Sequence, residues 1–182
     1  MMSSSQFIVY ACPQGELAGQ IQAFYQESLD LCGFNAAHNY MPHCTLTGFF
    51  NDEISSINLY IQALETAYNT AKLSKTPLKL DVIKMTFQTH WYGLELKTEG
   101  IPSLMIHFAQ LANSPTRLEA LRLKTWLHLS LAYEFQPEHA EQLKHLAQIR
   151  INPQAQVDWE LRFYQRHLEQ SWTCHQSWLL KA

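Results

Sequence analysis

The sequence predicts an α+β fold, with strands and helices mixed along the chain rather than alternating as regular βαβ units. Three observations carry this. About seven short runs are apolar or alternate apolar with polar residues, as strands do. Four longer segments repeat apolar residues every three or four positions, as helices do. Pro, Gly, Asn and Asp punctuate the boundaries. With 182 residues, 47% hydrophobic and 16% charged, the chain can bury one substantial core. Residues 1–182 are therefore expected to form a single domain, with two lobes.

The apolar run 7–12, ended by Pro13 and Gly15, reads as a buried strand. Over 16–31, Leu17, Ile21, Phe24 and Tyr25 follow helical spacing, with Gly33 as the stop. Residues 43–50 read as a strand. Asn51 and Asp52 could cap the helix that follows, striped by Ile54, Ile57, Ile61, Leu64 and Tyr68. The runs 78–87 and 90–97 have hairpin spacing across Gln88 and Thr89. Pro102 opens a third helix, carrying Leu104, Met105, Phe108 and Leu111. The stretch 113–123, with Ser114-Pro115, fits either state.

Residues 125–135 form another strand, and Pro137 begins a helix with Leu143, Leu146 and Ala147 inside. Strands over 156–164 and 172–180 close the chain, joined by the polar stretch 166–171. There is also a faint internal echo. The strands 43–50 and 125–135 are each followed by an acidic helix start, an amphipathic helix and a further strand.

A net charge of -3 argues against broad gripping of nucleic acid through a basic face, and DNA is not an expected partner. No run approaches the roughly 18 apolar residues of a membrane span. The polar start, residues 1–6, has no secretory pattern, and the four cysteines have no metal-finger spacing. A reduced, cytoplasmic monomer is the expectation. The histidines show no HExxH; His167, Cys174 and His175 cluster without ligand spacing, so no metal and no cofactor are expected.

The chemistry lies in His43-Cys-Thr-Leu-Thr47 and His128-Leu-Ser-Leu-Ala132. On a strand, alternate side chains share a face, so His43 points with Thr45 and Thr47, and His128 with Ser130. Thr47 lies two positions deeper, where core packing is an equal reading. Cys44 points the other way. A single histidine–hydroxyl triplet is weak, because strand histidines often just satisfy a neighbour. Two copies in strand context point to a site. Imidazole titrates near neutrality and can take or give a proton, while hydroxyls can hold a phosphoryl oxygen. A neutral and a protonated histidine together suffice to open a cyclic phosphodiester. Arg162, Tyr164 and Arg166 alternate on one face of a late strand. They contact phosphate or a base if that face borders the cleft; otherwise they are solvent-facing charge on an edge strand. Trp91, Tyr92 and Trp126 are either a base platform or core.

The two motifs resemble the paired H-x-[ST]-x-[ST/A] signatures of the 2H phosphoesterase superfamily, and the 85-residue separation of the histidines is similar to that family's. Met41-Pro42 and Phe49-Phe50 around the first motif add to the likeness. The wording is closest to 2',3'-cyclic nucleotide phosphodiesterases and to the phosphoesterase domain of ubiquitin-associated, SH3-containing phosphatase-like proteins. The resemblance implies a bilobal fold: two antiparallel sheets related by approximate two-fold symmetry around a central cleft, with helices outside. It implies His43 and His128 as the acid–base pair and Thr45 and Ser130 as phosphate-binding hydroxyls, with Tyr10 lining the cleft. Ala132 departs from the pattern by supplying no deeper hydroxyl.

The expected reaction is metal-independent hydrolysis of a 2',3'-cyclic or related ribose cyclic phosphate, on a small nucleotide or an RNA terminus, to a phosphomonoester. The resemblance makes the 2'-phosphate the usual product. Two rivals remain: an RNA-end-processing phosphodiesterase or 2',5'-ligase-type enzyme, and a non-catalytic nucleotide-binding adaptor.

Overall fold

The first strand, β1 (Ser4–Gln14), divides its side chains between two environments, as a period of two requires. Phe7, Val9 and Ala11 enter the main apolar core, while Ile8, Tyr10 and Cys12 join Tyr164 in a smaller cluster on the other side. The computed structural model describes residues 4–169 and 171–180. Part of the polar start (1–3), Gln170 of the expected connection 166–171, and residues 181–182 lie outside the described residues.

After β1 come β2 (Cys44–Thr45), β3 (Phe50–Glu53), β4 (Lys79–Gln88), β5 (Trp91–Glu99), β6 (His128–Tyr133), β7 (Asp158–Arg166) and β8 (Trp172–Leu180). The helices are α1 (Glu16–Cys32), α2 (Ile57–Leu73), α3 (Ile101–Leu111) and α4 (Ala140–Arg150). All strand pairs are antiparallel, in the order β4-β5-β6-β2-β1-β7-β8, with β3 pairing to the start of β1. The fold is α+β, but the described strands make one connected sheet where two had been expected. The physical reason is the β2–β6 pairing, which joins the halves edge to edge. With β8 left out, swapping β1-α1-β2-α2-β4 for β5-α3-β6-α4-β7 reads that order backwards, a relation of chain order alone.

Each helix lays one stripe on the same apolar core. Leu17, Ile21 and Phe24 come from α1, Leu104, Met105 and Phe108 from α3, and Leu143 and Ala147 from α4. On α2 the fully buried residues are Tyr60, Ala63, Leu64 and Ala67; Ile57, Ile61 and Tyr68 of the expected stripe pack half-buried against the core, and Ile54 is exposed. Two alanines let α2 approach its neighbours closely, and the Tyr60 hydroxyl reaches the buried Asp52 carboxylate. Asp52 lies in β3 and does not cap a helix. It also accepts from the Thr116 hydroxyl at 2.6 Å, while Arg117 donates to the Tyr60 hydroxyl at 3.0 Å. Those bonds order the stretch 113–123 as an irregular loop held against β3 and α2.

The two motif strands are shorter than their apolar runs, and both are irregular. The Leu46 and Thr47 amides converge on the Val9 carbonyl at 3.0 and 3.3 Å, which ends β2 and separates it from β3. In β6, Ser130 pairs with Gly93 and Ala132 with Tyr92, leaving Leu131 as an extra residue. Leu131 and Ala132 consequently both face the core, and Tyr133 takes the opposite face with His128 and Ser130. The hairpin between β4 and β5 turns on Thr89 and His90, one residue later than expected.

Candidate functional site

Cys44 of β2 and Leu129 of β6 are register partners, and both point into the core. One step to either side, antiparallel pairing sets His43 opposite Ser130 and Thr45 opposite His128 on the other face. Each histidine thus faces the other motif's hydroxyl. The helices lie beyond the core face, so this face is left open as a cleft. Two adjoining cavities, about 300 and 240 Å³, share Tyr40, His43, Thr45, His128 and Tyr133 in their walls. A larger cavity of about 450 Å³ opens between β4 and the start of β7, but it holds no histidine, and its Lys79 and Asp81 already pair at 2.9 Å. The histidine cleft is therefore the candidate site.

The His43 ring is held at Nδ1, which donates to the Met41 carbonyl at 2.7 Å, and it lies against the Tyr10 ring at 4.0 Å between centroids. That fixes the tautomer with the proton on Nδ1 and leaves Nε2 as an acceptor. Burial pushes the His43 pKa down to about 4; the Met41 carbonyl opposes this and the charge of His128 adds to it. His43 is therefore neutral near pH 7.

His128 is enclosed differently. Its ring stacks on Trp126 at 3.9 Å and meets Trp91 edge-on at 5.2 Å. Burial and Lys124 lower its pKa, while the Trp126 carbonyl and Glu95, its cross-strand partner on β5, raise it. The Trp126 carbonyl stands two residues upstream, as Met41 does for His43, yet His128 Nδ1 completes no hydrogen bond. The second histidine is thus the less tightly anchored of the two.

Among the hydroxyls, Ser130 Oγ accepts from Trp91 Nε1 at 2.9 Å, and the Ser130 carbonyl accepts from the Tyr25 hydroxyl at 2.7 Å. Thr45 makes no side-chain hydrogen bond among the described residues and lines both cavities. Thr47 is fully buried, and its Oγ1 accepts the Val9 amide proton at 3.0 Å, so it serves the break after β2. Tyr10 forms part of the cleft floor beneath His43. Tyr164 is buried behind Tyr10, 5.8 Å away between ring centroids, and its hydroxyl accepts from Arg162 at 3.0 Å. Its strand, β7, lies between β1 and β8 and is not an edge. Arg162 is paired with Glu160 at 2.6 Å, and Arg166 lies over the rings of Phe49 and Trp172.

Several wall residues were absent from the sequence-derived set: Tyr25, Tyr40, Tyr133, Arg122 and Lys124. Tyr133 was hidden by the extra residue in β6, because strict alternation turns it inward. Arg122 sits near the end of the stretch 113–123, which fits either state, and Lys124 lies just beyond it. No sequence signal marked Tyr40 or Tyr25 beyond their aromatic character.

The arrangement offers a neutral imidazole with a free acceptor nitrogen, a second imidazole stacked between tryptophans, and hydroxyl donors from both strands. Such a set can move two protons around one bound anion.

No family model matches the chain. It is 32% identical over 164 residues to ubiquitin-associated and SH3 domain-containing protein B of Homo sapiens, covering 90% of this chain and 25% of that protein. It is 32% identical over 166 residues to an ecdysteroid-phosphate phosphatase of Bombyx mori, covering 88% and 24%. A protein of the same name from Drosophila melanogaster is 28% identical over 196 residues, covering 88% and 26%. No described helix is long and apolar enough to cross a membrane. The chain spans about a quarter of the length of the curated relatives it matches, and nearly its whole length is similar to that one portion of them.

Proposed function

We propose that this chain is a phosphoesterase of the 2H type, a phosphodiesterase that hydrolyses 2',3'-cyclic or related ribose cyclic phosphates to phosphomonoesters. The observation that carries the reading is the β2–β6 pairing, which sets each histidine across from the other motif's hydroxyl in one cleft. Phosphatase in the names of two relatives supports phosphoester chemistry.

In this mechanism His43 is the general base. Its Nε2 takes a proton from water as the water oxygen bonds to phosphorus. The phosphorus–oxygen bond to one ribose oxygen breaks, and protonated His128 gives that oxygen its proton. Thr45 and Ser130 donate hydrogen bonds to the non-bridging oxygens, whose charge rises in the transition state. The 2H resemblance makes the 2'-phosphate the expected product. Acid and base both come from imidazole, so the scheme calls for no metal.

The test is turnover of 2',3'-cyclic nucleotides by the purified chain in the presence of a chelator. Histidine removal, as His43→Ala or His128→Ala, should lower kcat/KM at least about 10²-fold. Full activity in either variant would overturn the two-histidine mechanism. Because the relatives' names attach phosphatase activity to longer proteins, a panel of phosphomonoesters belongs in the same assay. Turnover of monoesters alone would favour that class of substrate instead.

A further inference from the structure

The cleft is electrostatically lopsided. Thr47 bridges to Leu123, with the Gly48 amide donating to the Arg122 carbonyl at 2.7 Å and the Lys124 amide to the Leu46 carbonyl at 2.9 Å. This strap runs antiparallel to the end of the first motif. Leu123 packs against the core, so Arg122 and Lys124, one residue to either side, both take the cleft side. They line the same 300 Å³ cavity as His43, Thr45 and His128. The adjoining 240 Å³ cavity shares both histidines but, with Tyr25, Ala37, Trp91 and Ser130 as its other walls, is lined by no lysine or arginine.

Neither cation is neutralised by a carboxylate at ion-pair distance among the described residues, whereas Arg162, Arg150, Lys79 and Lys84 each have one. Arg122 is also positioned. Its Nη2 donates to the Phe49 carbonyl at 3.3 Å, and the guanidinium lies against Gly48, where a Cβ would come within 3.2 Å of Nη2. Arg166 flanks the same place, lying over the Phe49 ring. Arg122 and Lys124 are both exposed and without an ion-pair partner among the described residues, and the strap's backbone bonds set them on the cleft side of a chain of net charge -3, where they can meet an anion.

The reacting phosphate already has both imidazoles and both motif hydroxyls at the β2–β6 pair. From the strap geometry, we propose that Arg122 and Lys124 form a second anion subsite, and that the substrate is a ribose cyclic phosphate bearing a further phosphoryl group. The cavity without lysine or arginine is left for the base or another neutral portion. This proposal rests on the phosphodiesterase reading for its reacting end, but the subsite can be measured without turnover.

Calorimetric titration of the full chain with adenosine 2',5'-bisphosphate and adenosine 2'-phosphate gives a ratio of affinities. The expected ratio favours the bisphosphate by about tenfold or more, and the double variant Arg122→Gln/Lys124→Gln should bring it close to one. The same comparison in kcat/KM uses adenosine 2',3'-cyclic phosphate with and without a 5'-phosphate. Equal affinities in the wild-type chain would overturn the subsite. So would a variant that weakens both ligands equally, because the cations would then serve the reacting phosphate. A bisphosphate preference without any cyclic-phosphate turnover would uphold the subsite and overturn the phosphodiesterase reading. Turnover without the preference would do the reverse.

Discussion

The indole Nε1 of Trp91 donates to the Ser130 hydroxyl oxygen at 2.9 Å. An indole nitrogen only donates, so Ser130 must accept here, and its own proton is left for the cleft. The close approach depends on Gly93. A Cβ at that position would collide with the Trp91 ring and with the Leu129 carbonyl.

Trp91→Phe, which keeps a ring but removes the N–H, should lower kcat/KM by about three- to tenfold while leaving the fold intact. Gly93→Ala should do more, displacing the indole and costing about 1–3 kcal/mol of stability. Kinetics with thermal unfolding of both variants checks this. An unchanged Tm and rate for Gly93→Ala would show that Trp91 has another place to lie.

The histidine environments set a pH profile. His43 must be neutral to act as base, and burial holds its pKa at about 4, so kcat/KM should fall as pH drops through that value. His128 must be protonated to act as acid, and burial lowers its pKa below the usual 6.5 or so, so the other limb falls on the acid side of neutrality. The free-enzyme optimum should therefore lie between these limits, below pH 6.5 or so. Stability follows the same sign. A histidine with a depressed folded pKa favours the neutral folded state, a contribution complete above about 6.5 and lost as pH falls toward 4. Rate profiles with wild type and His128→Ala, read beside circular dichroism at each pH, separate the two effects. An optimum above pH 8 would contradict the assignment.

Ala132 occupies the place where the motif pattern allows a second hydroxyl, so Ala132→Ser looks like a repair. In the structure Ala132 faces the apolar core and is fully buried. The serine should give no gain in rate and should cost about 1–3 kcal/mol of stability through an unpaired hydroxyl. Tyr133→Leu, on the cleft face, should change KM or kcat. A faster Ala132→Ser enzyme would mean that the extra residue lies elsewhere in β6.

The α+β class, the four helices and the histidine–hydroxyl pairs were legible because each rests on local periodicity. Leu17, Ile21 and Phe24 lie on the buried face of α1 as their spacing predicts. What escaped was set by pairing. The extra residue at Leu131 arises from register against β5, and no property of Leu131 itself announces it. Tyr60, buried on α2 outside the expected stripe, reaches Asp52 through a polar bond that an apolar stripe does not reveal. Two sheets were expected by resemblance, but one short β2–β6 pairing makes them one. The strap carrying Arg122 and Lys124 alternates over only four residues, 121–124, too short a run to announce itself, and is ordered by Asp52, Thr116 and backbone bonds to residues distant in sequence.

The register contact between Cys44 and Leu129 is the sheet's slenderest joint, and the two histidine–hydroxyl pairs flank it. The β2–β6 ladder there holds few backbone hydrogen bonds, and the halves are otherwise joined by the shared apolar core and the strap bonds of Gly48 and Lys124. A ligand that touches both motifs acts as a staple across that joint. Occupancy and thermal resistance should rise together, the ligand adding across the joint what the short ladder lacks.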